Sequence, residues 1–293
     1  MRFGVREICN VVFKATTKRK IGVREFQKGE PVLYFDSLKT STLEQAVTPV
    51  YAQGGRGNTR LIAWDGEKTL TFTMEDALIS ELGLAILAGA RLYDSTDDNN
   101  KDTLIVHVTE NVKATSSGVS VTKTPYTTGV TAYALKLDDA GTIVGEPIEL
   151  KFTDKAGTVK AAGTDAPKID ADTYYLVDYY TTKSAKGAYQ IDIEPETFGG
   201  NFYIEADTLF RDTDGADHAA QFVIPNGKIQ SNFTLTMAST GDPSTFTFTV
   251  DAFPGYVNGD MSKKVLSTIQ ILGDEDVIGV DDPAGDIENE IVG

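Results

Sequence analysis

Ser244-Thr245-Phe246-Thr247-Phe248-Thr249-Val250-Asp251-Ala252 is the stretch on which the fold turns. Side chains on an extended chain alternate between two faces, so Phe246, Phe248, Val250 and Ala252 share one face and Thr245, Thr247, Thr249 and Asp251 the other. One face is core and the other is wet, which is the signature of an antiparallel sheet covered on one side. The run Phe233-Thr-Leu-Thr-Met237 alternates the same way, and Gly241-Asp242-Pro243 supplies turn chemistry, so Ser231 to Ala252 is expected to form a hairpin.

Working outward, Val32 to Phe35, Leu61 to Trp64, Thr69 to Thr73, Thr103 to Val108, Thr131 to Leu137, Ile148 to Phe152, Thr173 to Tyr180 and Phe202 to Ala206 are short β-branched or aromatic runs. Each is bounded by Gly, Asp, Asn or Pro. One segment departs from period two. Ala77, Leu78, Ile79, Leu82, Ala85, Ile86 and Leu87 recur at helical spacing, with Thr73 as an N-cap, Glu75 and Asp76 in the first turn and Gly89 at the end. The spacing predicts one amphipathic helix over about 75–88, its apolar stripe packed in the core.

The texture changes between residues 94 and 187. A polar loop at 94–102 leads into turn-rich strands at intervals of roughly 8 to 12 residues, including the Tyr-dense run Tyr174-Tyr175-Leu-Val-Asp-Tyr179-Tyr180. This predicts an inserted, Ig-like β-sandwich domain with the Tyr side chains packing it. Residues 1–93 and 188–273 then form one discontinuous β-barrel or sandwich domain carrying the helix. Residues 274–293 form an acidic C-terminal arm.

Length and charge narrow the function classes. The 293 residues are 41% hydrophobic, enough to bury a core, and 27 Lys plus Arg against 43 Asp plus Glu leave a net charge of −16. Such a surface repels polyphosphate, which disfavours tight nucleic-acid binding. Half of the excess lies in residues 274–293, with eight acids and no Lys or Arg, whereas residues 1–40 hold nine Lys or Arg and four acids. The lone Cys9 asks for no oxidising compartment. Charges interrupt the apolar start, and the longest apolar run, Leu82 to Ala90, is too short to span a bilayer, so a soluble protein without a membrane partner is expected.

The residues do not assemble a catalytic constellation. There are two histidines, His107 in a strand and His218 in Asp212-Thr-Asp-Gly-Ala-Asp-His218, and a zinc site from them would need carboxylate completion. No Gly-x-Ser-x-Gly elbow is present. Gly54-Gly-Arg-Gly57 lacks the Lys-Ser or Lys-Thr of a phosphate-binding loop and reads as a turn. Asp98-Asn99-Asn100-Lys101-Asp102 begins like a calcium loop, but Thr103 replaces the required Gly and Thr109 the required Glu. Asp212, Asp214 and Asp217 read as a hydrophilic turn, with a cation loop as the alternative. The expectation is a non-enzyme with no cofactor and no metal.

Longer phrases carry a different signal. Glu30-Pro-Val-Leu-Tyr-Phe-Asp-Ser-Leu-Lys39 and Arg60-Leu-Ile-Ala-Trp-Asp-Gly-Glu-Lys-Thr-Leu-Thr-Phe-Thr-Met-Glu-Asp-Ala-Leu-Ile-Ser80 resemble the front half of tail tube proteins of contractile-tailed bacteriophages. Phe198 to Tyr203, Gln221-Phe-Val-Ile-Pro-Asn-Gly-Lys-Ile-Gln-Ser231 and Leu235-Thr-Met-Ala-Ser-Thr-Gly-Asp-Pro-Ser244 resemble the back half. The resemblance implies a β-barrel or sandwich with one helix, assembled in the host cytoplasm as homo-hexameric rings that stack into a hollow tube of the virion. Sheath, baseplate and tail terminator proteins would be its partners, and DNA would pass through without being held. The extra length of the insertion leaves open a decorated tube, a head decoration protein, another tail component, or a surface-binding module built on the inserted domain.

On this reading, acids on the wet faces of strands line the lumen, with Asp251 the candidate. Opposite charges attract within about a Debye length, roughly 10 Å at 0.1 M salt. The basic N-terminal residues Arg2, Arg6, Lys18, Arg19 and Lys20 are therefore expected to meet Asp274, Glu275, Asp276, Asp281 and Asp282 of a neighbouring subunit.

Overall fold

A computed structural model describes residues 2–5, 7–21, 24–94, 104–161, 166–183, 188–235, 239 and 245–272. The turn expected at Gly241-Asp242-Pro243, the polar loop at 95–102 and the acidic arm lie outside the described residues. The contacts divide the chain into two compact units, Met1–Leu92 with Ile191–Gly293, and Tyr93–Gln190. The described residues are mainly β, with one helix.

In the first unit the chain forms β1 (Phe3–Val5), β2 (Asn10–Ala15), β3 (Arg19–Ile21), β4 (Arg24–Phe26), β5 (Pro31–Phe35), β6 (Leu38–Gly54), β7 (Thr59–Asp76), helix α1 (Glu81–Ala88) and β8 (Arg91–Asp94). The second unit contributes β9 (Leu104–Lys113), β10 (Val119–Ser120), β11 (Ala132–Lys136), β12 (Ile148–Thr153), β13 (Ala156–Val159) and β14 (Tyr174–Lys183), followed by β15 (Tyr189–Asp192). The chain then returns through β16 (Asn201–Asp212), β17 (Asp217–Ile229), β18 (Phe246–Ala252) and β19 (Thr268–Ile271).

Seven strands of the first unit hydrogen-bond in the order β5-β2-β16-β17-β18-β7-β6, with β1 added on β16 and β19 on β17. Every pairing in this sheet is antiparallel. Two residues, Asp36 and Ser37, join the strands at the two ends of the order, and the Cys9 N–H donates to Ser41 Oγ at 3.2 Å. The sheet is thus a half-barrel curled around its own core.

Alternation decides which residues enter that core. Val11, Phe13 and Ala15 on β2 lie beside Phe202, Ile204 and Ala206 on β16, all buried. Phe248 and Val250 on β18 come from the stretch quoted first, and Phe246 and Ala252 pack at its margin. Phe35 stands edge-on to both Phe13, at 5.4 Å between ring centroids, and Phe248, at 4.9 Å. Burying each such ring stabilises the fold by about 1.5–3 kcal/mol.

Two expectations about this unit are corrected. The helix starts at Glu81, not near residue 75, because Asp76 is the last residue of β7. Its buried carboxylate accepts from the Ser37 hydroxyl at 2.5 Å and the Leu78 N–H at 3.3 Å, which ties down the turn after the strand. Ser80 is the cap, its hydroxyl oxygen accepting from the Gly83 N–H at 3.0 Å. The end at Gly89 is as expected: its backbone is left-handed, φ 63°, and a Cβ there would lie 2.5 Å from the Phe198 backbone. The second correction concerns the hairpin over Ser231 to Ala252. β18 pairs instead with β17, through Gly227↔Ala252 to Ile229↔Val250, and with β7 along Thr71 to Asp76. Residues 231–235 are not in a strand.

The second unit is one six-stranded antiparallel sheet, β10-β13-β12-β11-β14-β9, where two facing Ig-like sheets were expected. It curls because the segment after β10 crosses back onto its far end. Thr122 donates through N–H and Oγ1 to the Glu110 carboxylate, at 2.9 and 2.6 Å, and the Tyr126 N–H reaches the Tyr180 carbonyl at 2.7 Å. Tyr175, Val177 and Tyr179 fill the interior with Ala134, Ile148 and Leu150.

Candidate assembly and lumen surfaces

The wet half of the quoted alternation forms part of a surface on three adjacent strands. Register places Thr40–Glu75–Thr247, Thr42–Thr73–Thr249 and Glu44–Thr71–Asp251 in three successive rows across β6, β7 and β18. The grid holds six threonines, three carboxylates and no cation. Its side chains are held from within. Thr245 donates to Glu75, and the Gln230 amide donates to both Asp251 oxygens at 3.0 Å. Lys228 lies opposite Asp251 on β17 and Lys39 precedes Thr40 on β6, both exposed, whereas Lys14, beyond β16 on β2, is paired with Glu205. Asp251, the expected lumen residue, therefore sits at the corner of a larger acidic patch that the sequence reading located by this one residue.

Past the register shift between Val47 and Pro49, β6 and β7 pair with each other to the turn at Gly55–Asn58, while β18 joins β7 no farther out than Thr71. The result is a two-stranded arm, roughly 25 Å from residue 47 to its tip at 3.3 Å per residue. It is apolar on the outside: Val50 is opposite Trp64 and Ala52 opposite Ile62, and Val50, Leu61, Ile62 and Trp64 are each more than half exposed. Tyr51 carries the Arg60 guanidinium over its ring at 4.0 Å. A ribbon of two strands is marginal in water by itself, and exposed apolar clusters mark interaction sites.

The basic N-terminal residues are only partly free to pair elsewhere. Lys18 holds Glu25 at 2.7 Å. Arg19 lies over the Phe202 ring at 4.5 Å, donates to the Asn201 carbonyl, and burial lowers its pKa below the usual arginine value. Arg2 and Lys20 are exposed. Arg6 and the acids Asp274, Glu275, Asp276, Asp281 and Asp282 lie outside the described residues.

The other sequence candidates resolve into local structure. Asp212 accepts from the Asp214 and Ala216 N–H groups and from His218 at 3.1 Å, and these bonds, His218 foremost, hold its carboxyl below the usual range. Asp217 turns instead to Arg211, in a two-pronged pair at 2.6 and 2.5 Å. The three acids of the candidate cation loop diverge into a turn and an ion pair. Among the described residues no group of three His, Cys, Asp or Glu is placed to hold a metal, and no helix is long and apolar enough to cross a membrane.

A family model described as YomU/Tube protein family matches residues 17–265. The chain belongs to that family. The match runs through the whole arm, the acidic grid and both compact units, and it makes this chain a phage tube-type structural protein, in agreement with the resemblance carried by Glu30 to Lys39 and Arg60 to Ser80. Lys18, Arg19, Lys20 and Asp251 fall inside the region matched to the YomU/Tube family, and Arg2 and the acidic arm outside it. No curated protein matches the chain. Sequence reasoning missed the arm, because a ribbon exposed on both faces leaves no period-two pattern; the cue available was Trp64 beside Leu61 and Ile62 in a strand with no polar face.

Proposed function

We propose that this member of the YomU/Tube family is the tail tube subunit of its virion, a non-catalytic protein assembled in the host cytoplasm. Six copies close a ring, rings stack into a hollow tube, and DNA is ejected through the bore. Baseplate and terminator proteins meet the tube's ends, and a sheath its outside. The arm carries the reading: a free-standing ribbon with Val50, Leu61, Ile62 and Trp64 exposed is a surface that a second copy of the chain would cover. The grid of threonines and carboxylates supports the bore, since a wall without cations gives passing phosphates nothing to pair with.

Electron microscopy of the purified full chain tests it. Six-fold rings stacked into tubes are the expected result, with Trp64→Glu leaving folded, unassembled subunits. A monomer at all concentrations would overturn it, and closed rings that never stack would favour a decoration protein.

A further inference from the structure

The Tyr-dense strand β14 has two faces, and the core uses one. Tyr175 and Tyr179 are buried, which leaves Tyr180 and Asp178 on the outer face with Tyr133 of β11 and His107 of β9. Tyr133 is directly opposite Asp178, and His107 directly opposite Tyr180. The His107 ring stands edge-on to Tyr180, 5.5 Å between centroids, and its Nε2 is 2.8 Å from Asp178 Oδ1. Tyr133 and Tyr180, two residues apart in register, are roughly 7–8 Å from each other. The face is thus a polar pair set between aromatic rings on a rigid sheet.

We infer that this face binds a neutral glycan. Three features select that class. The face of an aromatic ring carries partial negative charge and attracts electropositive C–H groups, which a pyranose presents as a flat array. Asp178 is an acceptor and His107 can donate or accept, the combination that reads neighbouring sugar hydroxyls. The carboxylates of the face each already hold a polar partner, Asp178 with His107 and Glu149 with Lys160 at 2.5 Å, so a cationic ligand would have to compete with bonds already made. A sugar asks for no such exchange. The site is independent of the arm and of the acidic grid, and it adds a recognition function to the tube reading rather than resting on it.

Native-gel affinity electrophoresis of the full chain is the test, with dextran, mannan, galactan or hydroxyethylcellulose cast into the gel. At least one polymer should retard the protein. Tyr180→Ala and Asp178→Asn should each raise the polymer concentration for half-retardation at least tenfold, and Tyr180→Phe, which keeps the ring, should leave it within twofold. Ile143→Ser, on an exposed turn of the same unit, should change nothing. Thermal melts of each variant separate lost binding from lost folding, and Asp178→Asn preserves the shape should Tyr180→Ala unfold. Free migration in all four polymers would overturn the proposal. So would retardation that survives both Tyr180→Ala and Asp178→Asn, retardation by dextran sulfate alone, or self-association through this face in place of glycan binding.

Discussion

The outer faces of the two sheets obey one alternation rule and carry opposite chemistry. In the nine-residue grid shared by β6, β7 and β18 the wet positions are threonines and carboxylates without an aromatic ring or a cation. On β9, β11 and β14 the corresponding face carries Tyr133 and Tyr180 around a His107–Asp178 pair. The buried halves, Phe248 and Val250 in one and Tyr175 and Val177 in the other, are interchangeable in kind. On the proposed reading, function lies on the half of each strand that contributes least to stability, one face letting a polymer slide past and the other holding one.

That division can be broken first within a single strand. Phe248→Ala should destabilise the protein by about 3–5 kcal/mol through the cavity it leaves, and Thr249→Ala, one residue away on the wet face, by about 0.5 kcal/mol or less. Denaturant unfolding measures both; similar losses would show that the two faces are not separable. Next in size is a test of sliding. Asp251→Lys combined with Thr73→Lys should lower the melting temperature modestly, since Asp251 loses its bonds from Gln230 and Lys228 lies opposite. The same pair should slow DNA ejection from assembled particles several-fold, because cations in the bore would pair with phosphates. An unaltered ejection rate would remove the grid from the bore.

The second sheet has its own pH signature. Burial, and then the hydrogen bond to Glu110, push the Tyr179 phenol up to about 12. A raised folded-state pKa gives stability that is complete below the unfolded value, near 10, and is lost as pH rises through 12. Glu110 is held below the usual range despite its own desolvation, by bonds from Thr122 and Tyr179. Tyr179→Phe should flatten the alkaline loss of melting temperature above pH 10 and leave the acidic grid's behaviour untouched. The smallest effect is expected from removing residues 274–293, which should weaken polymerisation at low salt and make little difference above roughly 0.5 M, where charges are screened beyond a few ångströms. Equal assembly at low salt would detach the acidic arm from the Arg2, Lys18, Arg19 and Lys20 region.

How much was legible follows from where burial speaks. The stretch Ser244 to Ala252 announced its two faces because large apolar side chains occupy every second position, and the interior of β14 announced itself the same way. The start of α1 was not legible: Asp76 reads equally well as a first-turn acid or as a strand-end side chain, and only its bonds to Ser37 and Leu78 choose. The partner of β18 was misread because Phe233 to Met237 has strand-like spacing, while β17 breaks strict alternation with Val223 and Ile224 both buried at a register shift. The outer Tyr face needed three strands brought into register before Tyr133, Asp178 and His107 became neighbours.

Trp64 is the only tryptophan in the chain, and it sits half exposed on the arm. The molecule thus carries an internal optical probe at the surface where subunits are proposed to meet. Burial of that indole would shift its emission to shorter wavelength, so nucleation, elongation and critical concentration become readable in real time, without a label and without a second signal to subtract.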